Sequence, residues 1–223
     1  MKERKYKLLE DDTRKADGRT LYRIEALRSF GDVKKGDEGG FVESEENLAH
    51  EGNCWVYDYA RVYGDAQVCG DAQVYEYAEV YGNARVYENA KVYGGARVYG
   101  GARVHGVAQV DDVAQVYEKA NVYEFSKVSG NAKVFGNAQV LERAEIGGSA
   151  VVKSRKDYYV FKNWWSSGRY FTWTRSDNMW KVGCFVGTGE ELIEEAYSGS
   201  ALRGREYERI VKHVEEVLKN ENK

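Results

Sequence analysis

The chain of 223 residues contains no proline at all. Its turns must therefore be built by Gly, Asn and Asp, which tolerate positive φ. Cysteine is scarce too: Cys54, Cys69 and Cys184 are an odd number without metal-ligand spacing. That pattern argues against a disulfide framework and for reduced thiols in a cytoplasmic protein, or in the host cytoplasm if the chain is phage-encoded. Only three histidines, His50, His105 and His213, are present, and they are far apart in sequence and in type of element. No metal site and no cofactor are expected from them. The start MKERKYKLLEDD lacks an apolar run long enough for a signal peptide or membrane span, and no later stretch supplies one, so no membrane association is expected. A net charge of −3 removes any general reason to expect a nucleic-acid partner.

What the chain does have is a period. From Val56 to Val152 an aliphatic residue returns every six positions, and Ala stands two residues before nearly every one, Ser126 being the substitute. Such a period is read before any local propensity. In Ala60-Arg61-Val62-Tyr63, strand alternation turns Ala60 and Val62 inward and Arg61 and Tyr63 outward. The next pair, Gly64-Asp65 and its equivalents, turns the chain. Each hexad is then one side of a prism, three hexads make a coil, and the array amounts to about five coils at a strand spacing of roughly 4.8 Å.

The hexads VYGDAQ, VYGNAR, VYGGAR and VFGNAQ resemble those of hexapeptide-repeat left-handed β-solenoids, above all the YdcK-like solenoid proteins of phage and prophage type. The segment GDVKKGDEGGFVESEENLAHEGNCWVY is similar to the entry segment of that group. Left-handed coiling is what the resemblance implies. The expected fold is mainly β: a left-handed parallel β-helix over residues 50–152, an N-terminal β cap over 1–49 and a small C-terminal α+β domain over 153–223. The cap is required because a solenoid's first coil exposes unpaired backbone and open core. Glu43, Glu45 and Glu46 in it read as a solvated turn.

Folding the hexads by eighteen stacks Tyr63, Tyr81, Tyr99, Tyr117 and Phe135 in one outward column. The column is either a self-covering ladder or an interface, with a homo-oligomer, trimer or dimer, as the partner it implies. A basic stripe of Arg61, Arg85, Lys91, Arg97, Arg103, Lys127 and Lys133 precedes the valines. Nine cations against twelve anions over residues 56–151 cancel its force, so extended duplex nucleic acid is not an expected partner. His105 takes a tyrosine slot. Hexapeptide-repeat acyltransferases use a histidine base beside acyl-CoA on a similar coil, which makes His105 the residue of an alternative catalytic reading; the main reading has no catalytic residue.

Beyond Val152 the rhythm stops. Residues 157–165, 169–174 and 179–186 read as three strands, Thr188 and Glu191 as a helix-starting capping box, and 207–218 as an amphipathic helix. Two helices on one sheet face would leave the other open, with Trp164, Trp165, Arg169, Phe171, Trp173, Arg175, Trp180 and Lys181 as candidates for stacking a base and holding a phosphate. The expected function is a non-enzymatic binding or interaction protein that sequesters a host protein or a nucleotide-like ligand; a purely structural solenoid is the third reading.

Overall fold

A computed structural model describes residues 4–164 and 167–221. The chain begins with an antiparallel pair, β1 (Tyr6–Ala16) and β2 (Arg19–Ala26), followed by β3 (Glu38–Val42). The shaft then runs through two-residue strands from β4 (Trp55–Val56) to β20 (Val151–Val152), one per hexad. Successive strands fall on three parallel sheets, so each pairs with the strand three hexads later, as Arg97–Val98 pairs in register with Glu79–Val80 and Gln115–Val116. Every inward Ala and Val from Ala60 to Val152 is sealed from solvent in one continuous core. One small and one branched residue per side fill a triangular interior at close packing.

The shaft is longer than the hexads alone imply. β3 joins the same sheet in parallel with Arg61–Val62, and Leu48 bridges to Val68, so residues 38–56 form the first coil and the sheet from β3 to β20 spans six turns rather than five. This coil escapes the six-residue count because a short 3-10 turn, Glu45–Asn47, replaces the Gly-Asn corner. Asn47 is fully buried and uses its whole amide there. Its Oδ1 accepts from the Glu43 and Ser44 amides at 3.1 and 2.9 Å, and its Nδ2 donates to the Gly64 and Ala66 carbonyls at 2.8 and 2.9 Å. The acidic run is part of this corner: Glu43 accepts from Gly64 N at 2.7 Å and pairs with Arg19. A second corner of the same kind, Ser154 with Arg155–Asp157, closes the far end.

The C-terminal sheet has four strands, not three: β21 (Tyr158–Lys162), β22 (Tyr170–Thr174), β23 (Met179–Val182) and β24 (Phe185–Gly187). The run 179–186 folds back on itself at Gly183, φ +61°, a hairpin that no Pro or Asn-Gly signal announced. Two helices follow, α1 (Gly189–Gly199) and α2 (Ala201–Glu221). The capping box holds: Thr188 Oγ1 accepts from Glu191 N at 3.3 Å, and Glu191 Oε2 accepts from Thr188 N at 2.7 Å. No helix among the described residues is long and apolar enough to cross a membrane.

Both sheet faces are covered. Phe171, Trp173, Trp180 and Val182 pack against Leu192, Tyr207 and Val211 of the helices. On the opposite face, Tyr158 and Val160 pack on the shaft, and hydroxyl groups meet the last coil's unpaired amides and carbonyls. Glu145 N donates to Thr172 Oγ1 at 3.0 Å, Val151 N to Ser176 Oγ at 2.7 Å, and the Tyr158 hydroxyl to Gln139 O at 2.9 Å. Each of the three sides of the prism is thus terminated by a side chain of this domain.

Candidate functional site at the seam

The covered sheet corrects the expectation of an open aromatic and basic face. Phe171, Trp173 and Trp180 are at most 2% exposed, because the amphipathic helices need an apolar floor and these rings supply it. Trp173 also spends its indole N–H on Asn178 Oδ1, at 2.9 Å. Arg175 donates to Lys156 O and pairs with Glu221 at the end of α2, at 2.5 Å. Trp164 is 72% exposed, with Lys162 Nζ 3.5 Å from its ring centre, and Arg169 is exposed as well. Trp165 lies outside the described residues. The candidates therefore do not form one surface.

Two of them reach grooves where the sheet meets the coils. Lys181 lines an opening of about 440 Å³ together with Asp112, Glu145 and Asp177. The outward column Tyr57, Tyr75, Tyr93 shrinks there to Ser129 and Gly147, which leaves the space. Three carboxylates against one ammonium make this groove hostile to phosphate. Arg169 lines the other, about 250 Å³, with Lys127, Arg143, Phe125, Tyr170 and Glu145. The Arg143 guanidinium lies 4.6 Å from the Phe125 ring centre and 5.6 Å from that of Tyr170. Lys127 is held by Asp111 at 2.8 Å, whereas Arg143 and Arg169 form no ion pair among the described residues. Arg143 and Phe125 are the residues that reading strands alone missed. Their signal lies in the turn slots: Val107, Phe125 and Arg143 follow one another at eighteen-residue spacing where Gly, Asn or Asp usually stands.

The aromatic column on the other side of the shaft is a ladder of rings stacked face to face. From Tyr63 to Phe135 the ring centres are 4.8–5.0 Å apart and within 4° of parallel. That is the strand spacing, so each ring covers the next and the column shows solvent its edges. Tyr63 is buried under the N-terminal pair with Leu21 and Phe41, its hydroxyl donating to Asp17 at 3.0 Å; Lys153 Nζ sits 5.3 Å from the ring of Phe135 at the far end.

His105 is a rung of a second ladder, stacked between Tyr87 at 4.6 Å and Tyr123 at 5.1 Å. Its Nδ1 lies 3.6 Å from Glu88 Oε2, so a carboxylate does stand beside the imidazole, which sequence inspection did not find. Glu88 came to that place for another reason: its backbone is left-handed, φ +59°, and its Oε2 accepts from Gly106 N at 2.7 Å. His105 lines neither seam groove.

The profile described as YdcK Beta solenoid repeat matches residues 78–94, inside the shaft. A 56-residue stretch is 43% identical to a protein of Escherichia coli (strain K12) named Uncharacterized acetyltransferase YdcK. That match covers 25% of this chain and 17% of the relative's length. Parallel two-residue strands on three sheets make the shaft a β-solenoid, and the two matches make it similar in sequence to the YdcK repeat over part of its length.

Proposed function

We propose that the chain is a binding protein which holds a small anionic, ring-bearing ligand of the nucleotide class at the basic seam. The supporting observation is the convergence of Arg143 from the shaft and Arg169 from the C-terminal domain on one groove floored by Phe125 and Tyr170. Guanidinium groups grip phosphate through paired donors, and aromatic rings stack on a base. At about 250 Å³ the groove is smaller than sites that enclose a drug-sized ligand, roughly 300–1,000 Å³. It suits a mononucleotide left partly in water. The relative is bacterial, and neither a phage origin nor a host partner enters this reading. Titration calorimetry against a panel of nucleotides and acetyl-CoA tests it: binding that weakens at least about tenfold in both Arg143→Ala and Arg169→Ala, roughly 1.4 kcal/mol, is expected. Equal binding by the double variant and the native protein rejects it.

A second reading, acyl transfer, is favoured by the Glu88 carboxylate beside His105 and by the name that the Escherichia coli relative carries. There His105 would take the proton of the acceptor's nucleophile while Glu88 stabilises the resulting imidazolium. Thiol release from acetyl-CoA in the presence of an acceptor, abolished in His105→Ala, would favour it over simple binding. On either reading a second copy of the chain would meet ring edges along the Tyr63–Phe135 ladder. Light scattering that returns the monomer mass removes that ladder as an interface.

A further inference from the structure

Where the N-terminal cap meets the first coil, the side chains of Lys5 and Cys54 are both fully buried. Lys5 Nζ lies 2.9 Å from the Cys54 carbonyl oxygen and 3.2 Å from Cys54 Sγ, with the Phe30 ring centre 5.0 Å away. Both side-chain hydrogen bonds of the amine thus go to one residue, and no carboxylate pairs with it among the described residues. A buried ammonium is normally matched by a carboxylate. Burial instead favours the uncharged forms, lowering the Lys5 pKa and raising that of Cys54. The result is a buried amine, its hold on the proton weakened, in contact with a sulfur. His50 closes the site from one side: its Nδ1 accepts from Lys5 N at 3.2 Å, its ring stacks on Tyr6 at 4.5 Å, and Glu45 Oε2 lies 3.5 Å from Nε2. The other titratable groups acting on the pair are Arg28 and Asp71 on Lys5 and Cys69 on Cys54.

We infer that Lys5 and Cys54 form an oxidation-driven covalent cross-link, a reversible sulfenamide that fastens the N-terminal cap to the shaft. Hydrogen peroxide is the oxidant. The Cys54 sulfur attacks one peroxide oxygen to form the S–O bond as the O–O bond breaks; the departing hydroxide takes the thiol proton and leaves as water, and sulfenic acid remains, sulfur having given up two electrons. The Lys5 nitrogen then uses its lone pair to form the N–S bond as the S–O bond breaks. The departing hydroxide takes a proton from nitrogen and leaves as a second water. The amine is already in contact with the sulfur, so this step is intramolecular and favoured by proximity. Two equivalents of an external thiol return the amine and the thiol and leave as a disulfide. The inference is independent of the seam groove, which shares no residue with it.

The test uses the full chain carrying Cys69→Ser and Cys184→Ser, so that Cys54 is the sole thiol, treated with hydrogen peroxide under native conditions. The expected product is about 2 Da lighter than the untreated protein, whereas a sulfenic acid is about 16 Da heavier. Peptide mapping should join the segments containing Lys5 and Cys54, dithiothreitol should separate them, and the thermal midpoint should rise while they are joined. Urea during the treatment should abolish the link. Lys5→Arg in the same background should stop at a sulfenic acid trapped by dimedone. An oxidised product that keeps its oxygen although Lys5 is present, or a thiol that stays unreacted under conditions that consume it in urea, overturns the inference; both outcomes are read in protein whose Lys5 and Cys54 are unaltered.

Discussion

The tightest corners of the shaft are decided by single residues two positions after each inward aliphatic residue. The backbone is left-handed there throughout, and where glycine is not used the residue is aspartate or glutamate: Asp58, Glu76, Glu88, Asp112, Glu118, Glu124 and Glu142. At each of these but Glu142, the strain of a non-glycine residue at positive φ is offset by a carboxylate contact one coil along the shaft. The Glu124 carboxylate accepts from Glu142 N at 2.7 Å, and Glu76, Glu88, Asp112 and Glu118 do the same for the glycine one coil on. Glycine suits the slots where one coil lies close on the next: a Cβ on Gly94 would stand 2.8 Å from the amide nitrogen and the carbonyl oxygen of Asp112. Glu124→Ala keeps the strained backbone and loses the acceptor, so it should destabilise by about 1–2 kcal/mol, with Glu124→Gln costing less because its Oε1 still accepts. Urea denaturation measures the difference; equal midpoints for the two variants would refute the role given to the carboxylate.

At the level of elements, the ends of the shaft carry the information that its middle lacks. A parallel stack has open amides and carbonyls at its last coil, and such an edge invites pairing with another chain. Thr172 and Ser176 accept from two of those amides and Tyr158 donates to a carbonyl, while at the other end Asn47 ties the first coil to the second. The C-terminal domain is thus a cap as well as one wall of the seam. Replacing Thr172 by Val and Ser176 by Ala leaves two amides without their acceptors and should cost about 2–4 kcal/mol in total. Thermal unfolding monitored together with light scattering checks this: a lowered midpoint accompanied by association is expected, and an unchanged midpoint would show that the two bonds contribute nothing.

Over the whole molecule, stability is tied to phenols that are buried or hydrogen-bonded. Burial pushes the Tyr158 hydroxyl up to about 12. Tyr6, Tyr57, Tyr63 and Tyr93 are raised as well, first by burial and then by carboxylates, Asp32 beside Tyr57 and Asp17 beside Tyr63 among them. An unfolded tyrosine titrates near 10. Above that pH the unfolded chain releases protons that the folded chain keeps, so the contribution of these groups is complete below pH about 10 and lost as pH rises towards 12. Equilibrium denaturation between those values should show steeply falling stability, and Tyr158→Phe should flatten the fall; a flat native profile up to pH 12 would contradict it.

The sequence alone determined the shaft, because an inward residue every two positions and a turn every six leave a narrow prism no other way to fill its core. The ladders of tyrosine followed from the same arithmetic, as did the helix start at Thr188. Tertiary structure decided the rest. Residues 38–56 became a coil through pairing with a strand that they do not resemble in period. The aromatic run 171–180 became core and not ligand surface, because helices covered one sheet face and the last coil the other. Arg143 and Arg169, which line one groove, and likewise Lys5 and Cys54, are distant in the chain and came together only when a cap was laid on each end of the solenoid, a juxtaposition that no local spacing encodes.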